Sequence, residues 1–449
     1  MVVKNIGCEV AEMNDFLNTS RELLQFIDRS PSCFHVVANA AELLEKAGFT
    51  CLSENCSWTL QEGGSYYVIR NGSSLIAFRI PARDFSGFQL ICSHTDSPVF
   101  KIKECPEMEA DHKYTKLNVE KYGGMLCAPW FDRPLSVAGR VMVETEEGIR
   151  PVLVHVDRDL LMIPNLAIHM NRNCNDGYTY NVQKDLCPVF GSAAAKEKFM
   201  PMIASYAKTA PEQILGMDLF LYNRQKGTVL GAEEEFIGAP RLDDLQCLYG
   251  SLRGFLDAKT GKNAAVFCAF DNEETGSMSR QGAASTFLKD TLRRINFSLN
   301  RTEEEYLTAE AGSFMISADN AHAVHPNHTD MADPVNRPEI NKGIVLKYNA
   351  SQKYTTDAVS TAVFRSVCAR ADVPVQIFTN RSDMAGGSTL GNISNTQVSM
   401  RSVDIGLPQL AMHSPYEMAG VKDTEYLRRA AAMFYSMTLR LSETGAALV

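Results

Sequence analysis

The run Asp271-Asn272-Glu273-Glu274-Thr275-Gly276 gathers acidic side chains directly behind an apolar stretch, residues 263–270. Such a stretch is long enough for a buried strand, so these side chains emerge together at a strand end. Adjacent carboxylates repel each other unless a proton or a cation lies between them. A metal ion at Glu274 and a reacting water at Glu273 satisfy both groups. From this run alone, a solvated turn is the alternative.

Other segments offer matching chemistry. His94 and Asp96 stand two apart after the apolar run 88–92. A neutral imidazole ligates divalent transition metals, and a nearby carboxylate commonly orients it. Asp243, in Arg241-Leu242-Asp243-Asp244-Leu245, precedes a predicted helix. It reads either as a helix cap or as a carboxylate shared by two metals. Asp319 follows another apolar run, and His322, His325 and His328 lie just beyond it, three of the chain's nine histidines. That concentration reads as a wet polar site or a surface loop. His413 stands beside a further predicted strand end. Oxygen and nitrogen donors without thiolate suit zinc, manganese or cobalt.

The elements that must position these groups alternate. Helical spacing covers residues 13–27 and, after Ser30-Pro31, residues 36–47. A hairpin is predicted over 65–80, turning at Asn71-Gly72. From about 99 to 236 the texture changes to short alternating stretches with many turns and one short helix near 193–207. Helix and strand alternate again afterwards: a helix from 245 through 255, strands at 263–270, 344–348 and 373–378, helices at 357–369 and 424–441. Pro374 points the strand 373–378 toward a sheet edge or a strand start. Strands separated by helices predict an α/β sandwich, and acidic groups at strand ends fall where open α/β sheets build their sites. The reading is two domains: a discontinuous α/β unit from 1–98 and 237–449, and a β-rich insertion at 99–236. At 449 residues, two domains is also the default for length.

Composition removes other classes. A net charge of −9 disfavours a nucleic-acid-binding face. No window approaches a membrane span, and residues 1–9 carry no apolar signal core. The twelve cysteines form no CxxC pair and are scattered among apolar segments. They read as reduced thiols of a cytoplasmic protein.

Taken jointly, His94-Thr95-Asp96-Ser97-Pro98, Pro240-Arg241-Leu242-Asp243, the run 271–277, Ser317-Ala318-Asp319-Asn320-Ala321-His322-Ala323 and Met412-His413-Ser414 resemble the M18 aminopeptidases, the aspartyl aminopeptidase family, in order and in type. Residues 130–133, 166–172 and 381–391 extend the resemblance over nearly the whole chain.

The resemblance implies a mixed-sheet α/β/α metallopeptidase domain with an inserted β-rich dimerisation domain, and dimers building a dodecamer. It implies two divalent metal ions per chain, zinc first, with manganese or cobalt as alternatives. His94 and Asp319 would hold one ion, Glu274 and His413 the other, and Asp243 would bridge. Glu273 would be the general base, with Asp96 behind His94. His169 would reach a neighbouring subunit's site. Gly387, Ser388 and Thr389 would line the substrate pocket, and Lys347 would meet an acidic N-terminal side chain. The expected partners are peptides and further copies of this chain, with neither nucleic acid nor membrane. The expected activity is removal of N-terminal Asp or Glu. The segment 381–385 departs from the members tied most closely to acidic substrates, so a neutral or apolar preference is the alternative. Two other readings are a dinuclear deacylase or carboxypeptidase, which does not call for the His169 segment, and a non-catalytic scaffold, which does not call for these polar groups at strand ends.

Overall fold

The computed structural model describes residues 2–442 and 445–449, with side chains from residue 13 onward. Its central element is a nine-stranded mixed sheet. In spatial order the strands are Thr50–Leu52, Ser65–Arg70, Ser74–Arg79, Ala264–Phe270, Phe88–His94, Phe314–Ala318, Arg401–Gly406, Ile344–Tyr348 and Val375–Thr379. The four middle strands, from Ala264–Phe270 to Arg401–Gly406, run parallel to one another. Their carboxyl ends therefore share one edge, and the segments carrying His94, Glu273, Glu274 and Asp319 leave the sheet there.

Both faces of this sheet are covered, which explains why its strands read as unbroken apolar runs. Every residue of Ala264–Phe270 is buried. Alternate side chains go to opposite layers. Ala265, Phe267 and Ala269 pack with helices that include Leu242–Asp257 and Asp423–Ser436. Val266, Cys268 and Phe270 pack with Phe287–Ser298 on the other side. This is the expected α/β/α sandwich. Val375–Thr379 is its outer strand, with Pro374 immediately before it.

A six-stranded, fully antiparallel sheet is drawn from Val99–Ala110, Tyr114–Tyr122, Leu135–Thr145, Gly148–His155, Val189–Ser192 and Ile214–Asn223. It has its own core, built around Phe100, Trp130 and Leu219 and covered by the helix Phe199–Ala207. Thr228–Leu230 belongs elsewhere, to a five-stranded sheet with Phe236–Ala239, Glu417–Gly420, Pro408–Leu410 and Ala321–His322. The turn between Pro408–Leu410 and Glu417–Gly420 carries His413.

One predicted element ends early. The helix expected to reach residue 441 stops at Ser436. Thr438 exchanges backbone hydrogen bonds with Val449, and Leu439–Ser442 pairs with Gly445–Leu448. Strand pairing thus takes over the backbone groups a longer helix would have used. The cysteines with described side chains are all free thiols. Among the described residues no helix is long and apolar enough to cross a membrane.

Candidate metal centre

The strand Phe88–His94 delivers His94 to the shared edge almost fully buried. Its Nδ1 lies 3.1 Å from the backbone carbonyl oxygen of Asp96 and 3.5 Å from Asp96 Oδ1. That contact occupies one ring nitrogen and aims the other inward. Nε2 faces Asp243 Oδ1 at 3.5 Å and Asp319 Oδ1 at 4.0 Å.

Asp243 opens the helix Leu242–Asp257, where the backbone at Asp243 and Asp244 is not yet helical. The peptide bond between the two aspartates is cis. The Asp243 N–H donates to Glu417 Oε2 at 3.0 Å, and the His413 N–H donates to Glu417 Oε1 at 2.8 Å. One buried carboxylate therefore fixes both segments. His413, held at a positive φ of 65°, points Nε2 at Asp243 Oδ2 and at Glu274 Oε2, 3.3 Å from each.

Glu273 and Glu274 begin the short turn Glu273–Thr275 behind Ala264–Phe270. Their backbone N–H groups donate to Asp96 Oδ1 and Oδ2, each at 3.2 Å. Asp96 thus holds His94 on one side and the paired glutamates on the other.

Among the described residues, three groupings have donor atoms close enough to share a cation: His94 with Asp243, Asp244 and Asp319; His94 with Glu273 and Glu274; and Asp243 with Glu274 and His413. Asp243 belongs to the first and the last. Its Oδ1, and Glu274 Oε1, are buried and accept no hydrogen bond. Buried anionic oxygens of this kind require a counter-charge. Burial, with Asp319, Asp96 and Asp243 nearby, pushes Glu273 up to about 8, against the opposing influence of His94. Burial, with Asp243 nearby, raises Glu274 well above the carboxylate range. Burial would lower His94, but Asp244, Asp243 and Asp96 raise it. Divalent cations would meet this demand for positive charge, and the oxygen and nitrogen donors fit them.

These groups line a cavity of about 210 Å³, together with Lys347, Tyr354, Gly387, Ser388 and Thr389. Lys347 is buried, with Nζ 3.7 Å from Asp319 Oδ2 and 5.6 Å from the centre of the Tyr354 ring. Burial opposes its charge, yet Asp319, Tyr354 and Asp404 raise its pKa, so it stays an ammonium. A Cβ at Gly406 would sit 2.8 Å from Lys347 Cε, so the lysine passes only a glycine on its way in. Thr389 Oγ1 donates to Asp404 Oδ1 at 2.5 Å and is committed to the wall. His169 stands apart. It lies exposed on the segment 164–181 of the antiparallel-sheet half and does not line this cavity.

Several contributors were not read from the sequence. Asp244 Oδ2 accepts the His94 N–H at 3.1 Å, and the repulsion argument applied to Glu273-Glu274 holds equally for Asp243-Asp244. Glu417 lies four residues beyond His413, inside a segment singled out for its histidine alone. Tyr122 and Tyr354 carry no signal in their local sequence.

A sandwich with a parallel centre, holding a buried His/Asp/Glu cluster at its carboxyl edge, defines a hydrolase of the metallopeptidase class. Residues 26–435 match the family described as aminopeptidase I zinc metalloprotease (M18). A Clostridium novyi (strain NT) protein named probable M18 family aminopeptidase 2 is 45% identical over 433 residues, covering 95% of this chain and 100% of that protein. The Ape4 structure, solved by cryo-EM in complex with Nbr1, superposes with a TM-score of 0.92 at 36% identity, covering 94% of this chain and 86% of that one. The S. cerevisiae mApe1 dodecamer superposes at 0.82 with 28% identity, covering 94% and 97%. The chain belongs to the M18 family and is a metalloaminopeptidase, a peptide hydrolase acting at N-termini.

Proposed function

We propose that this aminopeptidase works with two divalent cations, zinc first and manganese or cobalt as alternatives, and removes acidic N-terminal residues. The observation that carries the dinuclear part is Asp243, whose two carboxylate oxygens face His94 and His413 separately. His94 and Asp319 would hold one cation, Glu274 and His413 the other, with Asp243 contributing to both. Bound there, the cations would activate a water molecule and polarise the scissile carbonyl. Glu273 takes the proton from the attacking water and returns it to the leaving amine. Its N–H is anchored on Asp96 while its carboxylate stays in the cavity. Asp96 keeps the His94 ring turned toward the site.

Acidic preference is supported by Lys347, a buried ammonium in the same cavity. Gly387 and Ser388 line the same cavity. The mApe1 relative is a dodecamer, and the present chain is proposed to assemble likewise, through dimers made by the antiparallel-sheet domain of residues 99–236. His169 of one copy then completes the site of another. The free thiols agree with a cytoplasmic setting. Hydrolysis of aspartyl, glutamyl and leucyl amides, with and without a chelator, tests the reading. Chelator-sensitive cleavage that favours the acidic pair is expected. Faster release of leucine would replace the acidic preference with an apolar one.

A further inference from the structure

A second cavity, of about 340 Å³, opens beside the metal centre. The two share the walls His322, Phe378, Gly387 and Met412. Lys347 and Tyr354 line the smaller one alone. A peptide whose N-terminal residue fills the smaller cavity would reach the larger one across the shared walls.

The larger cavity has a distinct character. Its charged groups are already engaged. Asp333 Oδ1 accepts the N–H groups of Val335 at 3.0 Å and Asn336 at 2.7 Å. Arg381 is paired with both oxygens of Asp383, and it also donates to the backbone carbonyl of Asp330. Met331, Met384, Met412, Leu410 and Phe378 supply its apolar wall, beside the imidazoles of His322, His325 and His328 and the amide of Asn380. Met331 and Met384 line it while 52% and 41% exposed. Exposed apolar side chains gathered beside a reaction centre mark a binding surface. Methionine adapts its shape to different apolar partners.

We infer that this cavity is a subsite for the second residue of the peptide, and that it selects an apolar side chain such as leucine, methionine or phenylalanine. The inference rests on the aminopeptidase reading and adds a second determinant of substrate choice, separate from the N-terminal residue.

The test uses tripeptides with a fixed N-terminal residue, in one aspartyl and one leucyl series, and leucine, phenylalanine, glycine or aspartate in second place. The metal-loaded full chain should cleave the leucine and phenylalanine members with kcat/KM at least about 10-fold above glycine, the scale of burying one such side chain. Aspartate in second place should be the poorest. Met384→Asp and Met331→Asp should each shrink the leucine-to-glycine ratio toward unity, leaving the aspartyl-to-leucyl ratio of N-terminal residues as it was. Met384→Ala is a milder variant expected to move the ratio the same way. Both positions are solvent-exposed, and thermal melting verifies that each variant is folded. A flat second-residue profile in the wild type overturns the subsite, as does a Met384→Asp protein altered only in N-terminal preference. Wild-type protein that cleaves none of the peptides overturns the aminopeptidase reading itself.

Discussion

The phenolic O–H of Tyr122 donates to Asp96 Oδ2 at 2.7 Å. Tyr122 ends a strand of the antiparallel sheet, whereas Asp96 follows a strand of the sandwich. Asn272 Nδ2 donates to the same phenol at 2.8 Å. The inserted sheet therefore reaches the carboxylate on which His94, Glu273 and Glu274 all hang. Losing a partner behind a metal ligand commonly costs about 10- to 100-fold in affinity or rate. Tyr122→Phe should lower kcat within that range and weaken metal retention in a chelator titration, with little change in KM. Unchanged kcat together with unchanged metal retention would falsify the link.

Glu273 is proposed to move the proton. Glu273→Gln keeps the side-chain shape and the N–H bond to Asp96, so metals should stay bound. Turnover should fall at least about 100-fold, the scale of acid–base catalysis. Elemental analysis beside steady-state kinetics decides it: near-normal turnover with full metal content removes Glu273 from the role.

Asp243 and His413 should respond differently to replacement. Asp243→Asn should deplete both cations, because its oxygens face both histidines. His413→Ala should mainly weaken one. Equilibrium dialysis followed by metal analysis separates these outcomes, and a single ion in active wild-type protein would sink the dinuclear proposal.

Lys347→Ala removes the buried ammonium. A charge-assisted contact contributes roughly 1.5–3 kcal/mol, so kcat/KM for acidic substrates should drop about 10- to 150-fold. Leucyl substrates should lose far less. Equal losses for both classes would show that the lysine supports the cavity without choosing the substrate.

Asp423, fully buried at the start of its helix, offers a pH test away from the site. Burial pushes it up to about 7, against the N–H groups of Asn341 and Gly343. The unfolded chain releases this proton near pH 4, so between about pH 4 and about pH 7 the folded state binds more protons. Stability from this group is present below that window and lost as pH rises through it. Asp423→Asn should flatten the fall, read as urea midpoints across the window. Parallel curves for variant and wild type would count against it.

Much of the site was legible because its residues sit where strands end. Ala264–Phe270 is buried on both faces and reads as a plain apolar run, so the acidic residues behind it stood out. His94 and Asp319 follow the same logic. Glu417 was harder, because its role depends on bringing residues 243 and 413 together, which no local pattern encodes. Tyr122 was harder still, since it belongs to a different sheet. The early stop of the last helix at Ser436 depends on a partner strand supplied by residues 445–448. The resemblance gave the ligand set its order and Asp243 its place between the two histidines; the geometry adds which carboxylate oxygen faces which histidine.

The site borrows from nearly the full length of the chain. His94 lies in the first quarter, and His413 lies on the turn ahead of Glu417–Gly420, which pairs with Phe236–Ala239. A chain still being synthesised therefore holds His94, Asp243, Glu274 and Asp319 without the histidine that faces Glu274. On the proposed ligand set, a truncated chain lacking His413 would lack one metal ligand and should be inactive toward peptides.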